Sequence, residues 1–395
     1  MLADVTIVGG GPVGCMTAAA IGKGLSTVVL EEHDMIGVPE QCAGLIAPRV
    51  VDMVGARGAV LNSIDGVVLH FPDGMAMRLK GKEVKAYVVE RRLFDETCLD
   101  RALSSGADYR VRERFDRFAR KDGLVIVGTE NGNEFGSRIA IGADGYRSSF
   151  GEAAGLPSAN EMVKGVQVDL VVKADDMSSV EVWLGHDVAP GFFAWSIPCG
   201  DFTRIGLCVN EASSNPFGYL KRLLKNIGLE DAKRLASYSG AIPIGPASRT
   251  VDDNVLIVGD AAGHAKPLSG GGLFTGITAA NIAGEVCRKA IERDDVSKRT
   301  LREYERRWRA SFGSELKRGL MLRRAYTRMS DDTLSDVGHT LDTEKCRKAL
   351  SEGDIDRPTA IAMNVLGAAP GLLRFSPNVI AAILKRGKVV GVEMP

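Results

Sequence analysis

Three glycine-rich turns stand out as places where backbone can meet a ligand. The first, Gly9-Gly10-Gly11-Pro12-Val13-Gly14, follows the apolar run Val5-Thr6-Ile7-Val8 and precedes an Ala-rich stretch reaching about Lys23. A GxGxxG between strand and helix has a physical logic. Gly9 permits the tight turn, Gly11 lets backbone approach a pyrophosphate, and Gly14 lets helix and strand pack closely. The pyrophosphate then sits where unpaired N–H groups and the helix dipole favour negative charge. A second strand, Thr27–Glu31, ends seventeen residues after Gly14, and Glu31 is placed to accept from the ribose hydroxyls of an adenosine. Gly9, Gly11, Pro12, Gly14, Glu31 and Glu32 are therefore candidate dinucleotide-binding residues. The bland alternative is an ordinary turn.

The second turn, Gly259-Asp260-Ala261-Ala262 continuing to Pro267-Leu268-Ser269-Gly270-Gly271-Gly272, again lies between a strand (Val255–Val258) and a helix expected over Leu273 to about Ala290. It resembles the second FAD signature of p-hydroxybenzoate-hydroxylase-like flavoproteins and geranylgeranyl reductases. That resemblance implies Asp260 on a ribitol hydroxyl, and Gly270, Gly271 and Gly272 at a helix start aimed at the flavin pyrimidine edge, where the dipole stabilises anionic reduced flavin. The third turn, Ala143-Asp144-Gly145-Tyr146-Arg147-Ser148, resembles the DG motif of the same superfamily; alone, Asp144-Gly145 also reads as a plain turn.

Three further stretches resemble the geranylgeranyl reductase family. Pro39-Glu40-Gln41-Cys42-Ala43-Gly44-Leu45 is similar to the Cys-containing loop beside the isoalloxazine, which implies roles for Cys42 and Ala43. Val88-Val89-Glu90-Arg91-Arg92-Leu93-Phe94-Asp95 is similar to a strand-to-helix segment whose Arg contacts the cofactor, here Arg91. Met329-Ser330-Asp331-Asp332-Thr333-Leu334 is similar to part of the C-terminal helical region. The family's Tyr-x-Trp-x-Phe-Pro then Gly-x-Gly departs here to Phe193-Ala194-Trp195-Ser196-Ile197-Pro198 then Gly206-Leu207-Cys208. The Trp-x-Ile-Pro part equally resembles flavin-dependent halogenases, which need an active-site Lys; Lys80, Lys82 and Lys85 are near in sequence without a clear match. Phe193 and Trp195 share a strand face and either line a pocket or pack a core. Phe193, Trp195, Pro198 and Pro267 are the candidate substrate-pocket residues, and Cys42 and Trp195 the candidate catalytic ones. Cys42 also reads as a small buried hydrophobe. His264 is a weaker candidate for a proton donor.

The elements that must position these residues follow from patterning. An α/β (α+β) fold is expected: a glutathione-reductase-type, Rossmann-like FAD-binding domain interrupted by an antiparallel-sheet substrate domain, then a helical C-terminal region. The expected FAD-binding pieces are 1–65, 83–155 and 248–300, with 66–82 and 156–247 as substrate domain and 301–395 helical. A helix is expected over about Arg92 to Ser104, and an amphipathic hairpin over Leu366–Lys385. Lys+Arg and Asp+Glu number 50 each, which gives no push toward nucleic acid. The seven cysteines show no CxxC and no metal-ligand spacing, so no metal site is expected. Their odd number and the missing leader point to the cytoplasm, with peripheral contact at the membrane's inner face left open. From Arg306 to Met329 eight side chains are basic and one is acidic, which reads as attachment to anionic lipid or as a solvated helix face.

The resemblance implies a reductase that uses FAD to hydrogenate isolated C=C bonds of a polyprenyl (geranylgeranyl) chain in an archaeal-type membrane lipid or precursor. Electrons would come from NAD(P)H or a ferredoxin-like protein. The competing expectation is a flavin monooxygenase or halogenase acting on a hydrophobic substrate; a carrier holding FAD as a structural element is a third.

Overall fold

Residues 2–159, 161–210 and 215–375 are described in a computed structural model. Strand Leu2–Val8 lies between Glu134–Gly142 and Thr27–Leu30 and is parallel to both. Val5, Ile7, Val29, Ile139 and Ile141 are buried, because helices cover the sheet and a parallel sheet has no wet face. Asp108–Arg110 and Val255–Ile257 extend the sheet in parallel, and a hairpin, Phe115–Lys121 and Leu124–Thr129, pairs antiparallel with Glu134–Gly142.

One face carries the helices Pro12–Ile21, Arg91–Ser104 and Leu273–Glu292. Cys15, Ala18 and Ile21 pack with Phe94, Cys98, Ala280, Ala283 and Cys287 in one core. Helix Pro12–Ile21 meets Leu273–Glu292 so closely that a Cβ at Gly284 would lie 2.6 Å from the carbonyl carbon of Ala20. Glu90 caps Arg91–Ser104 by accepting from the backbone N–H groups of Arg92 and Leu93.

The second sheet has seven strands in the order Arg234–Ile244, Glu161–Leu170, Thr203–Asn210, Ala194–Pro198, Ser179–Trp183, Gly66–His70 and Ala76–Lys80. It is antiparallel except where Gly66–His70 runs parallel to Ser179–Trp183, which departs from the expected antiparallel reading. Alternation sends Val166, Val168, Ile205 and Leu207 to the face covered by helix Pro216–Asn226. Gln167, Asp169, Arg204, Gly206 and Cys208 consequently point the other way, toward the first sheet. A small third sheet, Leu45–Ile46, Val60–Ile64 and Ala86–Val89, joins the two regions.

Beyond residue 297 the described chain is helical, beginning with Lys298–Trp308 and Ser314–Tyr326. Tyr304 Oη donates to the Ile257 carbonyl (2.9 Å) and Trp308 Nε1 to Thr250 Oγ1 (3.0 Å), which fastens this region to the first sheet. Helix Pro358–Ala368 and the turn Pro370–Phe375 occupy the start of the expected hairpin, whose remainder lies outside the described residues. Among the described residues no helix is long and apolar enough to cross a membrane.

Candidate functional site

The carboxyl ends of the first sheet open into a cavity of about 980 Å³ that continues along the inward face of the second sheet. At one end stands the first glycine turn. Gly9 has φ +103°, and a Cβ there would lie 2.3 Å from the Ala143 carbonyl oxygen; one on Gly14 would lie 2.0 Å from that of Gly9. These two glycines answer to packing. Gly11 differs, since a Cβ there meets nothing within 4 Å although the residue lines the cavity. Pro12 starts the helix.

Glu31 accepts from the Gly10 N–H (2.8 Å) and from the His33 N–H (3.0 Å), and His33 Nδ1 lies 2.6 Å from Oε1. That holds the carboxylate at the cavity edge. Glu32 is exposed, lines the same edge, and lies 3.3 Å from Arg114 Nε. Asp144 Oδ2 accepts from the Phe150 N–H (2.8 Å), while Oδ1 is buried without a partner. Burial pushes the Asp144 carboxyl up to about 6, against the pull of the Phe150 bond. Asp260 is likewise pushed up to about 6 by burial, with Arg91 drawing it down.

Gly259 has φ +64° and turns the chain after the strand, and Gly270 (φ +71°) opens the approach to helix Leu273–Glu292. No side chain caps that helix, so the N–H groups after Gly271 and Gly272 face the cavity end. An open cradle at Gly11, a positioned Glu31, an orphaned Asp144 oxygen and an uncapped helix start fit FAD, the cofactor that the motifs imply.

Cys42 and Ala43 line the middle of the cavity. Gln167 Nε2 donates to the Cys42 carbonyl (2.9 Å), and Arg204 Nη1 reaches the Cys42 and Ala43 carbonyls at 3.4 and 3.3 Å. Arg91 is buried against Asp95, with Nη2 2.9 Å from Oδ1. Burial disfavours its charge, but Asp95 and the Cys42 sulfur outweigh that and hold its pKa above the usual value. Trp195 lies over Gly206, where a Cβ would come within 2.7 Å of the indole, and its Nε1 is buried without a partner. Phe193 meets it edge-on at 6.1 Å and stacks on Phe192 at 4.4 Å.

Two expected pocket residues lie elsewhere. Phe193, Trp195 and Ile197 line the cavity, whereas Pro198 has the opposite parity and faces away, its carbonyl accepting from Asn62 Nδ2 (2.9 Å). Pro267 is buried against helix Ser314–Tyr326, 3.2 Å from a Cβ built on Gly319. His264 is also off the cavity, packed on Trp308 and Phe312, and burial pushes its pKa down to about 3. The basic run is no continuous patch: Arg306, Arg307, Arg309 and Arg324 lie beside Glu303, Glu285, Glu305 and Glu161, and Arg323 is buried.

Sequence reasoning missed several residues in the cavity wall or directly behind it. Glu40 lies 2.7 Å from Arg204, which is bidentate with Asp169 at 2.8 and 2.9 Å. Lys266, beside the glycine run, donates to Asp356 Oδ1 (2.6 Å) and the Ile355 carbonyl (3.2 Å), bringing the C-terminal region to the cavity wall. Glu40 and Lys266 were visible as charged residues inside recognised motifs. Asp169, Arg204 and Asp356 had no local signal.

Residues 2–211 match the FAD binding domain family. Over 400 residues the chain is 31% identical to a digeranylgeranylglycerophospholipid reductase 2 of Methanopyrus kandleri, with 95% of this chain and 99% of that protein covered. A digeranylgeranylglycerophospholipid reductase of Methanothrix thermoacetophila is 33% identical, with 96% and 98% covered. An uncharacterized protein of Methanocaldococcus jannaschii is 34% identical, with 92% and 94% covered. Among solved structures, a geranylgeranyl bacteriochlorophyll reductase-like protein of Thermoplasma acidophilum superposes with TM-score 0.85 at 23% identity, over 97% of this chain and 99% of that one. That last likeness is one of fold.

Proposed function

Because the chain belongs to the geranylgeranyl reductase family of FAD-dependent oxidoreductases, we propose that it hydrogenates isolated C=C bonds in a geranylgeranyl chain of an archaeal-type membrane lipid or its precursor. The observation that carries this reading is the cavity's apolar lining. Past the cofactor cradle it continues into a wall of Val67, Leu79, Val180, Val182, Phe193 and Ile197, a surface suited to a long apolar chain.

FAD, when bound and reduced, supplies the hydride. An isolated alkene takes hydride poorly, since the carbanion is unstabilised, so a proton must arrive first or together. The protein's part is to hold the chain against that wall, exclude water and favour positive charge on the reacting carbon. Trp195 and Phe193 line the cavity together, meeting edge to face, and an aromatic π system beside the reacting carbon favours positive charge on it. Cys42 and Ala43 form the loop between chain and cofactor cradle, stiffened by Gln167 and Arg204 through their carbonyls. Electrons come in this reading from NAD(P)H acting transiently or from a ferredoxin-like donor, with work done in the cytoplasm or at the membrane's inner face.

A second reading, oxygen chemistry on a hydrophobic substrate, has one observation on its side: Lys85 lines the cavity. The two separate under argon. Chemically reduced protein mixed with a geranylgeranyl lipid should reoxidise its flavin without oxygen. Reoxidation that requires oxygen and alters the lipid would favour the second reading.

A further inference from the structure

Glu40 belongs to a buried cluster whose charges do not balance. Arg204 gives Asp169 two aligned bonds, Nε to Oδ1 at 2.8 Å and Nη2 to Oδ2 at 2.9 Å. Its remaining Nη1 faces the Cys42 and Ala43 carbonyls. Glu40 Oε1 lies 2.7 Å from the same Nη1, yet is buried without an aligned hydrogen bond. Arg91 is already bidentate with Asp95. Fully ionised, the cluster would hold Arg91 and Arg204 against Asp95, Asp169 and Glu40, one negative charge too many in a water-poor wall. Burying an unmatched charge costs several kcal/mol by the usual scale for desolvated ions, so a proton is the cheaper solution. Asp95 and Asp169 each hold an arginine fork. Glu40 holds none and lines the cavity, so the proton belongs there. Burial raises its pKa, Arg204 and Arg91 oppose, and Asp169 raises it again; burial raises Asp95 as well, so it is the missing arginine fork that singles out Glu40. The other titratable groups near it are Tyr238 and Cys199, with Cys42 two residues on.

We propose that Glu40 carries the proton that the reaction adds to the double bond. This rests on the alkene-reduction reading above and names its acid. The Glu40 O–H breaks and leaves its electron pair on the carboxylate, and the alkene π pair forms the first C–H bond. The second C–H bond would take a hydride, which bound reduced FAD would supply together with the two electrons that the alkene gains. The carboxylate left behind stands 2.7 Å from the Arg204 guanidinium, which stabilises it until water returns the proton. Cys42, two residues on, shapes the wall; a carboxylic acid is the stronger acid of the two groups.

The test uses full-length, FAD-loaded protein and two variants, Glu40→Gln and Glu40→Asp. Gln copies the shape of the neutral acid without an acidic proton. Infrared spectra near neutral pH should show a protonated-carboxyl C=O band in the wild type that E40Q lacks. Single-turnover reduction of a geranylgeranyl lipid should slow by about 10²–10⁴-fold in E40Q, the usual worth of a positioned general acid. E40D should recover part of that rate, with FAD content equal in all three. E40Q turning over at the wild-type rate, or a wild-type band that E40Q leaves unchanged, overturns the proposal. A wild type that binds FAD but reduces no prenyl lipid overturns the parent reading instead, and the infrared band then decides alone whether Glu40 stores a proton.

Discussion

The two kinds of glycine in the first turn should separate cleanly under mutation. Gly11 has φ −68° and ψ −177°, a conformation open to any residue, and its Cβ would meet nothing within 4 Å. Gly11→Val should leave the fold intact while filling the space that a pyrophosphate needs. A hydrogen bond to a charged group contributes about 1.5–3 kcal/mol, so displacing one such contact should weaken FAD binding by about 10- to 150-fold. Gly14→Ala is the opposite case. Its Cβ would stand 2.0 Å from the Gly9 carbonyl oxygen, far inside contact distance, and backbone must move because no side chain is there to yield. The assay is thermal denaturation of each protein with cofactor removed, followed by flavin titration read by fluorescence. G11V should melt with the wild type and bind FAD weakly, while G14A should melt early or fail to accumulate. G11V that binds FAD as tightly as wild type, or that is as unstable as G14A, would refute the division of labour.

Other expectations follow from particular contacts. Asp356→Leu strands Lys266, which keeps only the Ile355 carbonyl, and should cost about 3–5 kcal/mol in denaturant unfolding. Lys266→Met should cost less, because Asp356 retains Arg49 at 3.2 Å; equal losses would contradict the pairing. The Asp260 carboxyl is raised from 3.8 to about 6 in the folded protein, so the stability it contributes is present below its unfolded value and lost as pH rises through about 6. Cofactor-free Asp260→Asn should therefore lose less stability than wild type between those values, and parallel pH curves would sink the assignment. Gly206→Ala puts a Cβ 2.5 Å from Gln167 Cβ and 2.7 Å from the Trp195 indole and should displace both, shifting tryptophan fluorescence and slowing lipid reduction with FAD content unchanged.

How far the sequence reveals this site depends on where each residue's partners lie. Gly9, Gly14, Gly259 and Gly270 are legible because a positive φ or a sub-3 Å approach leaves one residue type to choose, next to strand and helix patterns that point to it. The Arg91–Ser104 helix is legible from its buried face of Phe94 and Cys98. Strand direction is not: Gly66–His70 alternates in the same way whether its neighbour runs parallel or antiparallel. Pro198 follows the motif but not the parity that turns Phe193, Trp195 and Ile197 toward the cavity. The Glu40–Arg204–Asp169 cluster was invisible because its members come from a loop and two paired strands. Only the register, Asp169 opposite Arg204, makes them neighbours. The same holds for Lys266 and Asp356, ninety residues apart along the chain.

Alkene reduction on a prenyl chain is read directly by mass spectrometry. Chemically reduced, FAD-loaded protein is incubated under argon with an archaeal-type geranylgeranyl lipid and the lipid is weighed. A gain of two hydrogens for each double bond reduced, matched by flavin oxidation, is the expected result. A lipid of unchanged mass under argon, with flavin reoxidised only when oxygen is admitted, would contradict it.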